Sequence, residues 1–264
     1  MKLCFFSLTV ILFLFGFVIR DQTYRVMENR SFKPGESLEY RVHYGFINAG
    51  EAIIKINPKL YKVNNRVCYK IDIFGRTTGT FDLMLRIRDN WGTYMDTTSL
   101  VPQKFYRLIE EGRYRKNEVI TFKHFVDSAE VKVLNKETKQ YKPGKCHKVP
   151  DNVQDMVSGY YFLRTVNYNK LKINDIISIP AFFEDTVYNL NVKYLGREML
   201  DTKFGEFKTI KLSPVMPEND LFDGENSIRV WLSDDLNKIP LKIQADMFVG
   251  AVEIDIKKYE GLKN

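Results

Sequence analysis

From residue 36 onward the chain keeps switching sides. Apolar and polar residues alternate with a period of two over short runs separated by turn residues. Leu38, Tyr40, Val42 and Tyr44 alternate with Ser37, Glu39, Arg41 and His43, as in a strand with one face buried and one in water. A turn is expected at Asn48-Ala49-Gly50, and then Ala52, Ile54 and Ile56 share one face. After Asn64-Asn65, Val67, Tyr69, Ile71 and Ile73 alternate again, and Leu85, Ile87 and Trp91 continue the theme. Further strands are expected over 103–109, 114–124, 130–134, 176–180, 187–195, 207–212, 228–232, 241–245 and 249–257. Their close spacing favours antiparallel hairpins and meanders over βαβ units. The expected class is mainly β: a curved antiparallel sheet, forming an open or half barrel or two packed sheets.

One helix interrupts this pattern. Residues 151–168 place Val153, Met156, Val157, Tyr160, Tyr161 and Leu163 at helical spacing, with Pro150 and Asp151 as a start signal. A central helix of this kind packs on a sheet and closes an open face. The domain reading is a tether over 21–35 followed by a single β-rich domain over 36–264, built as two halves joined by that helix. The halves share a weak signature. Arg86-Ile87-Arg88-Asp89-Asn90-Trp91 leads to Pro102 and Lys104, as Ile228-Arg229-Val230-Trp231 leads to Pro240 and Lys242. Chance hairpin chemistry would produce the same match.

The N-terminus reads as an export signal. Lys2 precedes a nearly unbroken apolar run from Leu3 to Ile19, a signal-peptide core long enough to approach a membrane span. No small-x-small cleavage site follows, so residues 1–20 are a cleaved signal helix or a retained anchor. This expectation places the protein in the periplasm or cell envelope, touching the membrane only through that segment.

The formal charge is +7, and +5 without residues 1–20, which hold Lys2 and Arg20 and no acidic residue. Basic residues are interleaved with acidic and apolar ones, without the basic stripe that nucleic acid requires, so nucleic acid is set aside as a partner. Cys68 and Cys146 remain beyond the leader. Export would allow them to pair as a disulfide, but two separate thiols is the favoured reading.

Catalytic signatures are sparse. His43, His124 and His147 have no helical zinc spacing, and there is no His-Glu-x-x-His, nucleophile elbow or phosphate loop. The expectation is no catalytic residue, no cofactor and no metal. Glu110-Glu111, Asp234-Asp235 and the loop from Glu218 to Asp223 approach a calcium pattern only loosely and read as solvated turns. Aromatic residues are the remaining clue. Tyr40, Tyr44, Tyr69, Trp91, Tyr106, Tyr160 and Trp231 are the candidate ligand-lining residues, offering apolar bodies with polar tips; an ordinary aromatic core uses the same side chains.

Several stretches resemble a known family. Phe32-Lys33-Pro34-Gly35-Glu36-Ser37-Leu38-Glu39-Tyr40 with Ala49-Gly50-Glu51-Ala52 is similar to the opening of exported bacterial proteins classed as domain of unknown function 3108. The resemblance continues through 153–164, where an acidic residue precedes Tyr-Phe-Leu-Arg, through Gly205-Glu206-Phe207-Lys208-Thr209, and through Val230-Trp231-Leu232-Ser233-Asp234-Asp235. It implies a curved antiparallel β structure, export and no assigned activity. The Trp-Leu-Ser-Asp-Asp run with Ile-Pro is also similar to periplasmic lipoprotein carriers with half-barrel sheets. Three functions stay open: a non-catalytic envelope protein that binds a hydrophobic or amphiphilic small molecule in its concave sheet, a scaffold for another envelope protein, and a carboxylate-based glycan or lipid hydrolase.

Overall fold

The structure, a computed structural model, describes residues 24–215, 226–248 and 250–264. The leader and the Glu218–Asp223 loop read from the sequence therefore lie outside the described residues. Among the described residues no helix is long and apolar enough to cross a membrane.

The strands run β1 (Ser37–Tyr44), β2 (Ile47–Val63), β3 (Arg66–Thr77), β4 (Arg88–Asp96), β5 (Pro102–Glu111), β6 (Tyr114–Lys123), β7 (Ser128–Val133) and β8 (Lys145–Lys148). Then come β9 (Ile176–Phe183), β10 (Thr186–Thr202), β11 (Gly205–Pro214), β12 (Ile228–Ser233), β13 (Pro240–Asp246) and β14 (Ala251–Glu260). A short helix α1 (Gly79–Met84) follows β3, and α2 (Met156–Leu163) lies between β8 and β9.

All fourteen strands form one open antiparallel sheet in the order β8-β7-β6-β5-β4-β3-β2-β1-β14-β13-β12-β11-β10-β9. Each strand pairs with its sequence neighbour, except where β1 closes on β14. The tight turns follow local chemistry: Asn64 and Asn65 both take positive φ, 49° and 59°, as the hairpin between β2 and β3 requires. Two six-strand series, β1–β6 and β9–β14, follow the same order and direction across the sheet. Their first strands are both 8 residues long and their second strands both 17. The hairpins matched in sequence are the fourth and fifth strands of each series.

The free edges, β8 and β9, meet through side chains. Phe182 of β9 packs edge-on against Phe122 of β6, and Phe183 stacks on Trp91 of β4 at 5.7 Å. Glu184 in the next turn pairs with Arg107 of β5 at 2.5 Å. The sheet thus curls until β9 overlaps its own opposite side. α2 lies in the space inside.

Three expectations need correction. The helix spans 156–163, not 151–168, because Gln154 is drawn into the sheet: its N–H donates to the Pro180 carbonyl and its carbonyl accepts from the Phe182 N–H. The tether expected over 21–35 is packed on the domain from residue 24, where the described residues begin. Arg25 Nε donates to the Ser99 carbonyl, and Ser31, Phe32 and Glu36 are buried. The first turn falls at Gly45, φ 56°, while 48–50 belong to β2. Cys68 is buried and Cys146 exposed, and both are free thiols.

Candidate functional site

The site begins with how α2 is held. Asp155 caps its N-terminus: one carboxylate oxygen accepts from the N–H groups of Val157 and Ser158, and the Ser158 hydroxyl accepts from the Asp155 N–H. The other carboxylate oxygen accepts from Thr93 Oγ1 on β4 at 2.6 Å, fastening the helix to the sheet. Burial pushes the Asp155 carboxyl up to about 6 despite these donors.

The C-terminal end is held by charge. Arg164 donates Nη1 to Glu36 Oε1 at 2.5 Å and Nη2 to Glu36 Oε2 at 2.7 Å. Its remaining donors reach the carbonyls of Ser31 and Asn237, and the Tyr161 hydroxyl donates to Glu36. Burial alone pulls the guanidinium down; the surrounding tyrosines and Glu36 outweigh it, and the net shift is upward. The pair therefore ties α2 to the segment before β1 and to the loop between β12 and β13.

Held this way, α2 divides the interior. Val157 and Tyr161 face a packed cluster with Phe32, Ile71, Met95, Phe105, Ile120 and Phe122. Met156, Tyr160 and Leu163, at i, i+4 and i+7, face the other way. Opposite them, the concave faces of β1–β3 and β10–β14 present Ile54, Ile73, Val192, Val230, Leu232, Ile243 and Ile254. Between the helix and this wall lies a half-open cavity of about 490 Å³, lined by aliphatic side chains, Pro214, Pro240, Tyr40 and Tyr160. The Tyr40 hydroxyl donates to the Pro240 carbonyl at 3.1 Å, whereas the buried Tyr160 hydroxyl makes no hydrogen bond.

Of the seven aromatic residues singled out from sequence, Tyr40 and Tyr160 line this cavity. Tyr69 and Trp91 face the same interior but belong to the packed cluster; Tyr69 meets Phe32 edge-on and Trp91 stacks on Phe183. Three sit elsewhere, which corrects their assignment. The Tyr106 ring lies across Gly92 on the outer surface beside Tyr94, and its hydroxyl donates to Asp72. Sequence alternation misleads there because Arg107, a charged residue, occupies the inner face with Phe105, paired to Glu118 at 2.7 Å. Trp231 points outward and donates Nε1 to Glu198, since its neighbours Val230 and Leu232 take the interior. Tyr44 follows a β-bulge at Val42 and His43 and rests against Phe81 of α1. The Ala52, Ile54 and Ile56 face was readable, but nothing in the sequence separated Ala52 and Ile54, in the cavity wall, from Ile56, in the packed core.

Among the described residues the buried carboxylates do not face one another. Glu36 pairs with Arg164, Asp96 with Arg66, Glu118 with Arg107 and Asp72 with Lys70, while Asp155 caps α2. Asp89 and Glu111 do interact, and burial and Asp89 raise the Glu111 carboxyl, but neither lines the cavity. Among the described residues no group of three or more His, Cys, Asp or Glu side chains is arranged to hold a metal ion.

The fold recurs in one solved structure compared with it. A β-barrel-like protein of domain of unknown function DUF1849 from Brucella abortus matches with a TM-score of 0.57 at 11% identity, over 87% of this chain and 99% of that one. A protein described as exported, with a YmcC-like fold, from Bacteroides fragilis matches at a TM-score of 0.34 and 8% identity, over 87% of this chain and 97% of that one. A protein described as a lipoprotein from Parabacteroides distasonis gives 0.31 and 8% over the same shares. No curated protein matches the chain. The family model described as protein of unknown function (DUF3108) matches residues 39–257, which include α2 and the whole cavity wall, and the chain belongs to that family.

Proposed function

We propose that this is a non-catalytic protein of the cell envelope that holds the apolar part of a lipid-like molecule between α2 and the concave sheet. One observation carries the reading: a cavity of about 490 Å³ walled by apolar side chains and open to solvent, on the far side of α2 from the packed cluster around Phe32 and Tyr161. Ligand sites are commonly clefts of roughly 300–1,000 Å³ with mostly apolar walls. Among the described residues the lining offers no nucleophile, general base or paired carboxylates, which supports binding over chemistry. The leader read over Leu3–Ile19 supports an envelope location.

The test is gentle extraction from the envelope followed by mass spectrometry of what travels with the protein. The reading expects a small lipid-like molecule at about one per chain, with shorter molecules selected by an Ala52→Phe variant whose ring takes up part of the cavity. A stoichiometric protein partner with no bound small molecule would instead support the scaffold reading.

A further inference from the structure

Resting on that reading, we infer that the cavity is a site for one acyl chain, so that the ligand is a single-chain amphiphile whose polar head stays outside. Volume sets the number of chains. A methylene group occupies about the space of a water molecule, roughly 30 Å³. The cavity of about 490 Å³ therefore holds about 16 such groups, one chain of about 12 to 16 carbons. A two-chain lipid of ordinary length brings about twice that.

The wall sets the position of the head. Among the described residues the lining carries no charged side chain, and the Tyr40 hydroxyl is already committed to Pro240. A charged head drawn inside would lose its hydration with a single unpartnered hydroxyl, that of Tyr160, to set against the loss. Met156, 45% exposed while lining the cavity, marks the entrance where such a head remains in water. Methionine suits this position because its flexible thioether adapts to chains of different shape.

The experiment is calorimetric titration of the full chain with alkylphosphocholines of increasing chain length, each kept below its micellar concentration. One ligand per chain is expected, with affinity rising about fourfold per added methylene and levelling at about 14 to 16 carbons. Ala52→Phe should move the plateau about three carbons shorter, and Ile243→Ala about three longer; either variant that folds decides the point. Affinity that climbs without a plateau, or a plateau unmoved by the folded variant, overturns the single-chain inference. So does stoichiometric uptake of dioleoylphosphatidylcholine from vesicles. In those cases the broader reading of an apolar ligand site stands. Absence of binding to both the alkylphosphocholines and the vesicle lipid overturns both.

Discussion

The guanidinium of Arg164 and the carboxylate of Glu36 meet in a two-pronged pair, 2.5 and 2.7 Å long, with both side chains wholly excluded from solvent. Four separate stretches of the chain converge there: the Ser31 turn, the start of β1, the end of α2 and the Asn237 loop. Removing one partner leaves a buried charge uncompensated. Glu36→Ala or Arg164→Ala should each cost about 3–5 kcal/mol in denaturant unfolding. Replacing both together, Glu36→Leu with Arg164→Met, should cost much less than the sum, because no lone charge remains. Additive losses would show that the two residues act independently.

Asp155 gives the fold a pH dependence of definite sign. Its folded carboxyl titrates at about 6, against an ordinary value of 3.8, so the folded state holds the proton more tightly than the unfolded one. The stability it contributes is complete below pH 3.8 and is lost as pH rises through about 6. Asp155→Asn keeps an oxygen acceptor for Val157 and Ser158 but cannot ionise. Relative to wild type it should therefore gain up to about 3 kcal/mol between pH 4 and 7 and nothing further above that. Melting curves across this range check it; a constant offset between the two proteins would contradict it.

The two cavity tyrosines should respond oppositely to loss of their hydroxyls. Tyr40→Phe removes a hydrogen bond to Pro240 and should destabilise by about 1 kcal/mol. Tyr160→Phe removes a buried hydroxyl with no hydrogen-bond partner and should be neutral or stabilise by about 1 kcal/mol. Equal losses in urea unfolding would mean that Tyr160 is bonded in solution.

The thiols should differ in reactivity. Cys146 is exposed on the edge strand β8, whereas Cys68 is buried and its thiol is pushed up to about 12, first by burial and then by Asp96. Alkylation with iodoacetamide under native conditions, read by mass spectrometry, should label Cys146 within minutes and Cys68 only after unfolding. A single disulfide-linked species resistant to labelling would contradict this.

Most strands were legible because they obey period-two alternation. The runs around Tyr40, Ile54 and Ile71 correspond to β1, β2 and β3. β8 was missed, since Lys145-Cys146-His147-Lys148 is polar and only four residues long. α1 was missed because it has no buried residue and so no apolar face to read. The ends of α2 were overrun because the apolar spacing continues past both: Val153 is spent in the core while its neighbour Gln154 pairs with β9, and Val166 follows the turn that Arg164 anchors. The candidate site was half legible. Tyr40 and Tyr160 could be placed on inward faces, but strands apolar on both faces, as around Trp231, hide which side is in. The pair between Glu36 and Arg164 was invisible, because 128 residues separate its partners.

The central claim, that the space between α2 and the sheet receives an apolar ligand, is tested most directly by methyl NMR during titration with dodecylphosphocholine below its micellar concentration. The account predicts saturable shifts at Ile54, Ile73, Ile243 and Ile254, which line the cavity, with Ile71 and Ile120 in the packed cluster little changed. Shifts confined to outer-surface side chains such as Ile53 and Leu108, or no saturable shift at all, would contradict it.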